Sequence, residues 1–472
     1  MYDEIKIPMK NPFLNLSSNE NLVTNSKYLR KNDIFLSLRG GAKYLTTEHV
    51  NLVKHIFLDS NENIDLPKVT KIKDLNSSYL KWIDEYFQID HSYFNNLFIT
   101  GTNGKTTTLS FLSQILENNG IKHASSGTLG TFINEQKIFD NELTTEEPVF
   151  IRNLMSKCFR SSIKNIIFEA SSIGVDKKRL QGLMVNHAIF TNISRDHLDY
   201  HGSLQNYINA KFKLVSNSEV KTVAVNFDDE IISSQLKKIC SKNIFKISSR
   251  NNKSDIFFKV LKSYEDGNIE YSVETPWGKF RAASKIESKF NLYNLFLTLP
   301  YYQFINDNCE DFFAKAQDLS LPFGRLNKTE KENVYIDYAH TPKALESVCE
   351  CLYKKKKNKL IIVFGAGGER DKGKRALMGE VADKYCEKIY ITSDNPRNED
   401  PQQIANMIAE GIEELDKICM ELDRSRAIKN AINELSDGDI LLIAGKGHEN
   451  KQIIGDACLD FSDYEEVKKC MF

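Results

Sequence analysis

The sequence predicts an α/β protein of three domains: a small mixed N-terminal domain over residues 1–90, a central P-loop domain with a parallel sheet over 91–320, and a C-terminal doubly wound, Rossmann-like domain over 321–472. Three observations carry that reading. The 472 residues fill about three domains at roughly 150 residues each. From residue 91 onward, short apolar runs alternate with segments of helical spacing, as parallel strands covered on both faces do. Near residue 321 that alternation starts again.

In the first block, Ile34-Phe35-Leu36 and His55-Ile56-Phe57-Leu58 are apolar runs between polar turns, with no reactive cluster. The second block reads as a strand at 97–100 and a helix over 106–118, a strand at 166–168 before a loop, and a strand at 188–190 before a helix over 204–215. The third has strands expected at 334–336, 360–364, 389–391 and 440–443. Ile404, Ile408, Ile412 and Leu415 mark a helix between them, and the run 354–357 reads as a solvated helix end.

Composition bounds the function. Hydrophobic residues make up 41% and charged residues 27%, too apolar for disorder. Lys plus Arg total 63 against 64 Asp plus Glu, which argues against a nucleic-acid binder or a polybasic membrane-surface protein. No apolar stretch approaches the roughly 20 residues that span a bilayer, and the opening MYDEIKIPMKNP mixes acids with bases, so no secretory signal is expected there. Nine scattered cysteines read as buried thiols in a reducing cytoplasm; only Cys349 and Cys351 are close, and i, i+2 positions on a helix do not face each other.

Ligands of open parallel sheets sit beyond the carboxyl ends of the strands, and the unusual residues lie there. Strand 97–100 runs into Gly101-Thr102-Asn103-Gly104-Lys105-Thr106-Thr107 and a helix. Glycines let backbone N–H groups approach a polyphosphate, Lys105 would reach the β- and γ-phosphates, and the Thr106 hydroxyl a Mg²⁺ ion. Ile99 stands where the longer phosphate-loop pattern has its first glycine, leaving the shorter GxxGKT form. This chain is therefore expected to bind ATP or GTP. Glu169, at the next strand end, suits a Mg²⁺ ligand, direct or through water. Asp196, His197, Asp199 and His201 form a polar loop able to bind metal.

After Ser203, a plausible N-cap, Leu204, Tyr207, Ile208, Phe212 and Val215 share one helix face with Lys211 near its centre. Such a lysine must reach water along its stem, lose its charge, or be modified.

In the last block, strand ends carry Asp337 and His340, the loop Gly365–Arg375, Asp394-Asn395-Pro396-Arg397, and Gly445 to Glu449. The loop's four bases against two acids suggest an anion-seeking surface. Arg370 and Arg397 can grip a carboxylate, and Asp394 and Glu449 can hold an ammonium, which suits a zwitterionic amino acid.

The segments TGTNGKTTT, TNISRDHLDYHG, GGERDKGKR, SDNPRNEDP and AGKGHE, in this order, resemble the Mur ligases, from about residue 24 to the C-terminus. The resemblance implies an ATP- and Mg²⁺-dependent amide ligase of peptidoglycan precursor synthesis, acting on UDP-MurNAc-L-Ala-D-Glu through an acyl phosphate. The Asp-Asn-Pro-Arg form is similar to that of relatives adding meso-2,6-diaminopimelate; lysine-adding relatives typically lack the arginine. It carries over Lys105, Lys211, Glu169 and His197 as the catalytic set, with Lys211 as a carbamate that joins Thr106, Glu169 and His197 around the metal. Asn294, Arg325 and Asp337 match nucleotide contacts. Thr144, Thr145, Ser171, Lys177 and Arg179 match contacts to the UDP-sugar peptide, and Thr24, Ser26 and the turn 40–43 the uridine block. Arg370, Asp394, Asn395, Pro396, Arg397, Gly445 and Glu449 match diaminopimelate contacts. A cytoplasmic monomer is implied, with no nucleic-acid or membrane partner.

Departures from the family pattern are Ile173 for histidine, Lys177 for glutamine, Gly41-Ala42 for His-Gln, Glu146-Glu147 before Pro148, Lys289 for glycine and Phe323 for proline. Two rivals remain in the same class, a lysine-adding ligase and a folylpolyglutamate-type ligase. Arg397 counts against both, since lysine would leave it desolvated and unpaired, a loss of about 10²-fold or more. From another class come a P-loop ATPase driving motion and a degenerate scaffold; the first has no use for Arg370, Asp394, Arg397 and Glu449, and the second should lack Lys105, Glu169 or Lys211.

Overall fold

The structure, a computed structural model, describes residues 11–15, 21–216 and 220–471; the opening residues 1–10 lie outside these. Three main sheets organise the chain. Leu22–Val23, Ile34–Ser37, His55–Asp59 and Val69–Ile72 pair in that order, all parallel. Helix Leu75–Tyr86 covers one face with Leu75, Trp82, Ile83 and Tyr86.

The central sheet has eleven strands. Its parallel middle runs Ile256–Ser263, Ser241–Ser248, Val220–Asn226, His187–Phe190, Asn95–Thr100, Asn165–Glu169, His123–Gly127. Antiparallel ribbons finish both ends: Asn268–Thr275 with Gly278–Lys285, and Gly130–Ile133 with Gln136–Phe139. The expected parallel sheet is therefore only the middle. Tight turns such as that before Gly278 reverse the chain without a crossover helix, and alternate residues of these ribbons face outward. Helix Lys105–Asn118 packs Phe111, Leu112, Ile115 and Leu116 into the core.

The last sheet runs Asn327–Lys328, Val334–Asp337, Ile440–Ala444, Leu360–Phe364, Lys388–Ile391, Ile418–Met420, parallel except at its first edge. Leu360, Ile362 and Phe364 face helices Pro342–Tyr353, Lys374–Tyr385 and Pro401–Ala409, while Ile361 and Val363 face Arg424–Asn433. Covering both faces makes the sheet doubly wound.

Four local readings need correction. The helix expected through Leu415 ends at Ala409, and Leu415 is exposed. Lys355 and Lys356 are not simply solvated: they pair with Glu287 and Glu387. Leu204 is exposed instead of joining the apolar face around Lys211. Of the nine free cysteines, Cys240 and Cys458 are exposed, because they sit directly before strand Ser241–Ser248 and on a surface hairpin. No helix among the described residues is long and apolar enough to cross a membrane.

Candidate functional site

Strand Asn95–Thr100 delivers the glycine loop to the N-terminus of helix Lys105–Asn118. Gly104 has φ +84°, and a Cβ there would lie 2.5 Å from Asn294 Oδ1; at Gly101 a Cβ would lie 1.9 Å from Thr191 Oγ1. Only glycine fits at either place. The neighbouring strand end holds the loop: Thr102 N donates to Asn192 O at 2.7 Å, Asn103 N to Asn192 Oδ1 at 3.0 Å, and Thr191 Oγ1 to Asn103 O at 2.6 Å. The loop is thus preorganised as an anion cradle at a helix N-terminus. Lys105 donates to the carbonyls of Gly101 and Thr102 at 3.0 and 2.9 Å. Burial lowers its pKa, against the pull of the Glu169 and Asp196 carboxylates.

Glu169 is buried. Its Oε2 accepts from Thr106 Oγ1 at 3.2 Å and Thr128 Oγ1 at 3.1 Å, and its Oε1 accepts from Thr128 N at 2.9 Å. A hydroxyl and a carboxylate side by side at a phosphate loop are the oxygen donors a hard divalent cation takes. Gly127 makes room for them, since a Cβ there would stand 2.3 Å from Glu169 Oε1.

Asp196, His197, Asp199 and His201 do not converge as one metal loop. The Asp196 carboxylate lies 3.4 Å from His197 Nε2 and 3.9 Å from His340 Nε2, Asp199 is exposed, and His201 Nε2 turns away to Ser172 Oγ at 3.0 Å. Residues 198–201 form a helical turn, which points consecutive side chains in different directions. Among the described residues no three His, Cys, Asp or Glu side chains are grouped to hold a metal. Burial raises the Asp196 pKa, but Lys374, His197 and His340 outweigh it and hold the carboxyl well below its usual range.

Lys211 is 1% exposed, so it does not reach water. Its Nζ donates to Gly101 O at 2.7 Å and lies 4.5 Å from the Tyr207 ring centre. Burial, then the Lys105 cation, pushes its pKa well below the ordinary lysine value.

Across the cleft, Arg325 Nη2 donates to Thr106 Oγ1 at 3.4 Å and the guanidinium stacks on Tyr338 at 4.4 Å. Asp337 is buried and accepts from Leu326 N and Ala339 N, both at 2.6 Å; burial raises its pKa to about 6. His340 donates from Nδ1 to Tyr338 O at 2.7 Å, because a carbonyl can only accept. Burial, then Lys374, lowers His340 to about 4, a weak base for removing an ammonium proton. The phosphate loop, Thr144, Ser171, Asn294, Arg325 and Asp337 share one cleft of about 1210 Å³.

The amino-acid cluster lies on the far side of Tyr338, whose hydroxyl reaches Glu449 Oε1 at 3.4 Å. Arg397 adopts φ +54°; its N donates to Ile453 O at 3.1 Å and its carbonyl accepts from Gly455 N at 2.7 Å. Its Nη1 donates to Gly368 O at 2.7 Å and Asn395 O at 3.3 Å. Burial, then the adjacent Arg370 cation, lowers its pKa. Arg370 is exposed and Asp394 buried; a Cβ on Gly445 would lie 2.7 Å from Asp394 Oδ2, and one on Gly368 1.8 Å from Pro396 O. Glu449 already holds an ammonium, the chain's own: Lys446 Nζ donates to it at 3.1 Å and Asn395 Nδ2 at 2.9 Å. Reasoning from sequence did not single out Lys446.

The loop Gly365–Arg375 is no open anion surface. Asp371 takes both ends of the Arg195 fork at 2.7 and 2.8 Å, Lys374 pairs with Asp196 at 3.3 Å, and Arg375 with Glu399 at 2.9 Å. Only Arg370 and Lys372 of its four bases are exposed.

Thr145 Oγ1 donates to Glu169 O at 2.8 Å and lies 3.0 Å from Ser171 Oγ, while Thr144 Oγ1 is 3.3 Å from Thr128 Oγ1. Arg179 is engaged by Thr145 O at 3.1 Å and by Glu147, one of the two intruding acids, at 3.0 Å. Lys177 is exposed, 5.8 Å over the Tyr200 ring. Thr24 directly follows the strand Leu22–Val23 and Ser26 opens the short helix Ser26–Tyr28, both outside that cleft; Thr24 O is 3.9 Å from where a Gly41 Cβ would be.

Comparison with known proteins adds an independent line. Residues 99–300 match the Mur ligase middle domain and residues 324–447 the Mur ligase glutamate ligase domain. A UDP-N-acetylmuramoyl-L-alanyl-D-glutamate–2,6-diaminopimelate ligase of Rickettsia conorii is 36% identical over 470 residues, covering 95% of each chain. One of that name from Aquifex aeolicus is 32% identical, covering 95% of this chain and 93% of its own. A solved structure of such a ligase aligns with TM-score 0.60 at 29% identity, over 96% of this chain and 94% of its own. MurF ligase from Thermotoga maritima in complex with ADP, 16% identical, shares the fold with TM-score 0.67, over 96% and 97%.

Proposed function

The chain belongs to the Mur ligase family, and from that premise we propose that it adds meso-2,6-diaminopimelate to UDP-N-acetylmuramoyl-L-alanyl-D-glutamate, driven by ATP, in peptidoglycan precursor synthesis. It is an acid–amino-acid ligase. The D-Glu γ-carboxylate attacks the ATP γ-phosphorus, giving an acyl phosphate and ADP. The diaminopimelate amine then attacks the acyl carbon, and phosphate leaves through a tetrahedral intermediate. Phosphorylation removes the charge that makes a carboxylate a poor electrophile and installs a leaving group.

The glycine loop and Lys105 bind the triphosphate, and Arg325 brings a second cation to the Thr106 hydroxyl; positioning and charge stabilisation supply most of such catalysis. Thr106, Glu169, His197 and a carbamate on Lys211 would hold Mg²⁺. When bound, Mg²⁺ screens the charge of the triphosphate. Asn294 and Asp337 line the nucleotide cleft, and Thr144, Thr145 and Ser171 bind the acceptor peptide beside Glu169. Arg179, partly engaged by Glu147, and Lys177 complete that side, and Thr24 and Ser26 serve the uridine end.

The observation that carries diaminopimelate specificity is Arg397, held by Gly368, Asn395 and the Ile453 strand beside Arg370. Its fork suits the distal carboxylate of diaminopimelate, which lysine lacks. Asp394 is the acid left for the distal ammonium, since Glu449 is shared with Lys446. The reading includes a cytoplasmic monomer, consistent with nucleotide substrates and free thiols.

An amino-acid panel with ATP and UDP-MurNAc-L-Ala-D-Glu tests it. Product mass should report diaminopimelate incorporation, with ADP release requiring both co-substrates; lysine incorporated as well as diaminopimelate would overturn the specificity.

A further inference from the structure

The loop Gly365–Arg375 has two jobs at once. At its glycine end it touches the amino-acid cluster: Gly368 O accepts from Arg397, Gly368 N donates to Asn395 O at 2.9 Å, and Arg370 stands beside Arg397. Three residues on, it grips the central domain through Asp371 and Arg195, a two-pronged bond at 2.7 and 2.8 Å, and through Lys374 and Asp196 at 3.3 Å with both side chains 6% exposed. The two bridges have opposite polarity, so they specify one register of the loop against residues 195–196. A Cβ at Gly373 would lie 2.2 Å from Arg195 Nη2, so the loop backbone is packed against the guanidinium.

Residues 195–196 in turn follow the segment that holds the phosphate loop. Ser194 N donates to Thr102 Oγ1 at 2.9 Å, and Asn192 and Thr191 bind Asn103 and Thr102. A continuous run of bonds therefore joins Arg397 to the phosphate loop through Gly368, Asp371 and Arg195.

We propose that the Arg195–Asp371 and Lys374–Asp196 bridges are a latch that ties the amino-acid-reading loop to the phosphate site, so that an amino acid seated on Arg397 and Arg370 favours the closed cleft. This rests on the ligase reading above. Arg195 and Asp371 are positioning residues here: they touch no reacting atom. Closure protects the acyl phosphate. In an open cleft water attacks the acyl carbon, the bond from that carbon to the phosphate oxygen breaks, and carboxylate, phosphate and a proton result with no amide formed.

The test counts ADP and amide from one sample for the unaltered enzyme, Arg195→Gln, Asp371→Asn and the double variant, with ATP, the UDP-muramoyl dipeptide and diaminopimelate. Each single variant should raise ADP per amide, by about tenfold for the loss of a charged two-pronged bond. The double should be no worse than the worse single, because both break one interaction. A ratio unchanged in folded single variants, or additive losses in the double, would overturn the latch. Small-angle scattering keeps the latch testable apart from ligase activity: with ATP bound, both singles should be more extended than the unaltered protein, and equal dimensions would overturn it. Failure of the unaltered enzyme to form any amide would instead sink the ligase reading.

Discussion

Lys105 and Lys211 donate to one and the same oxygen, the carbonyl of Gly101, at 3.0 and 2.7 Å. Two ammonium groups so placed repel, and burial together with the Lys105 cation pushes the pKa of Lys211, the more deeply buried, well below the ordinary lysine value. A neutral amine is the form that attacks carbon dioxide, and a carbamate on Lys211, formed with release of a proton, would be an anion beside the Lys105 cation. Lys211→Ala should therefore lower kcat by about 10²-fold or more, as loss of a charge-stabilising group does, while short carboxylic acids restore part of it. Native mass spectrometry should find one carbon dioxide on the unaltered protein and none on the variant. Normal turnover by Lys211→Ala would remove Lys211 from the set of residues that hold Mg²⁺.

Gly127 carries a prediction of its own. It has no positive φ to explain it; its role is to leave space for the Glu169 carboxylate, 2.3 Å from where its Cβ would be. Gly127→Ala should push Glu169 off Thr106 and Thr128 while leaving the phosphate loop itself unchanged. Titration of activity with Mg²⁺ should show a requirement raised by about 10- to 100-fold, the usual loss when a ligand's support is removed, with nucleotide binding in the absence of metal little altered. An unchanged Mg²⁺ requirement would separate Glu169 from the metal.

His187 predicts the direction of acid destabilisation. It is buried against Tyr301 and Phe304, with Nδ1 2.6 Å from Thr222 Oγ1, and burial, then Lys221, lowers its pKa from 6.5 to about 3. A lowered pKa means the unfolded chain takes up the proton first, so stability present above pH 6.5 is lost as pH falls toward 3. Between pH 7.5 and 5.5 the loss from this one group is about 1.4 kcal/mol. His187→Phe should flatten the dependence of the urea midpoint on pH over that range, whatever it does to the midpoint itself. An equally steep slope in the variant would place the titration elsewhere.

What could be read from the chain in advance, and what could not, follows from the range of the forces involved. The strands that end at Thr100, Glu169, Phe364 and Ala444 are runs of three to five apolar residues punctuated by glycine or acid, a local signal. Lys211 stood out because a cation interrupts an apolar helix face. The antiparallel strands Asn268–Thr275 and Gly278–Lys285 were missed since half their residues face outward and imitate loop composition. Harder still were partners distant along the chain. Arg195 and Asp371 are 176 residues apart, and each looks like an ordinary solvated charge until the fold joins them. The chain's own side chains also occupy groups that local reading assigns to substrate, Glu147 on Arg179 and, only three residues away, Lys446 on Glu449.

The sharpest test of specificity is Arg397→Lys. Arg397 spends Nη1 on Gly368 O and Asn395 O, and its backbone is fixed on both sides by the Ile453–Gly455 hairpin. The remaining nitrogens of the fork are thereby aimed without cost in side-chain freedom, and a lysine keeps the charge but loses that planar geometry. kcat/KM for diaminopimelate should fall by about 10²-fold, the loss expected when a two-pronged carboxylate contact becomes a point charge. The KM for ATP should stay within about twofold, because Tyr338 and the Asp337 loop stand between Arg397 and the nucleotide cleft. Measured side by side, a selective fall in diaminopimelate use assigns the guanidinium to the distal carboxylate. Equal losses for both substrates would show that Arg397 supports the domain as a whole and reads no amino acid.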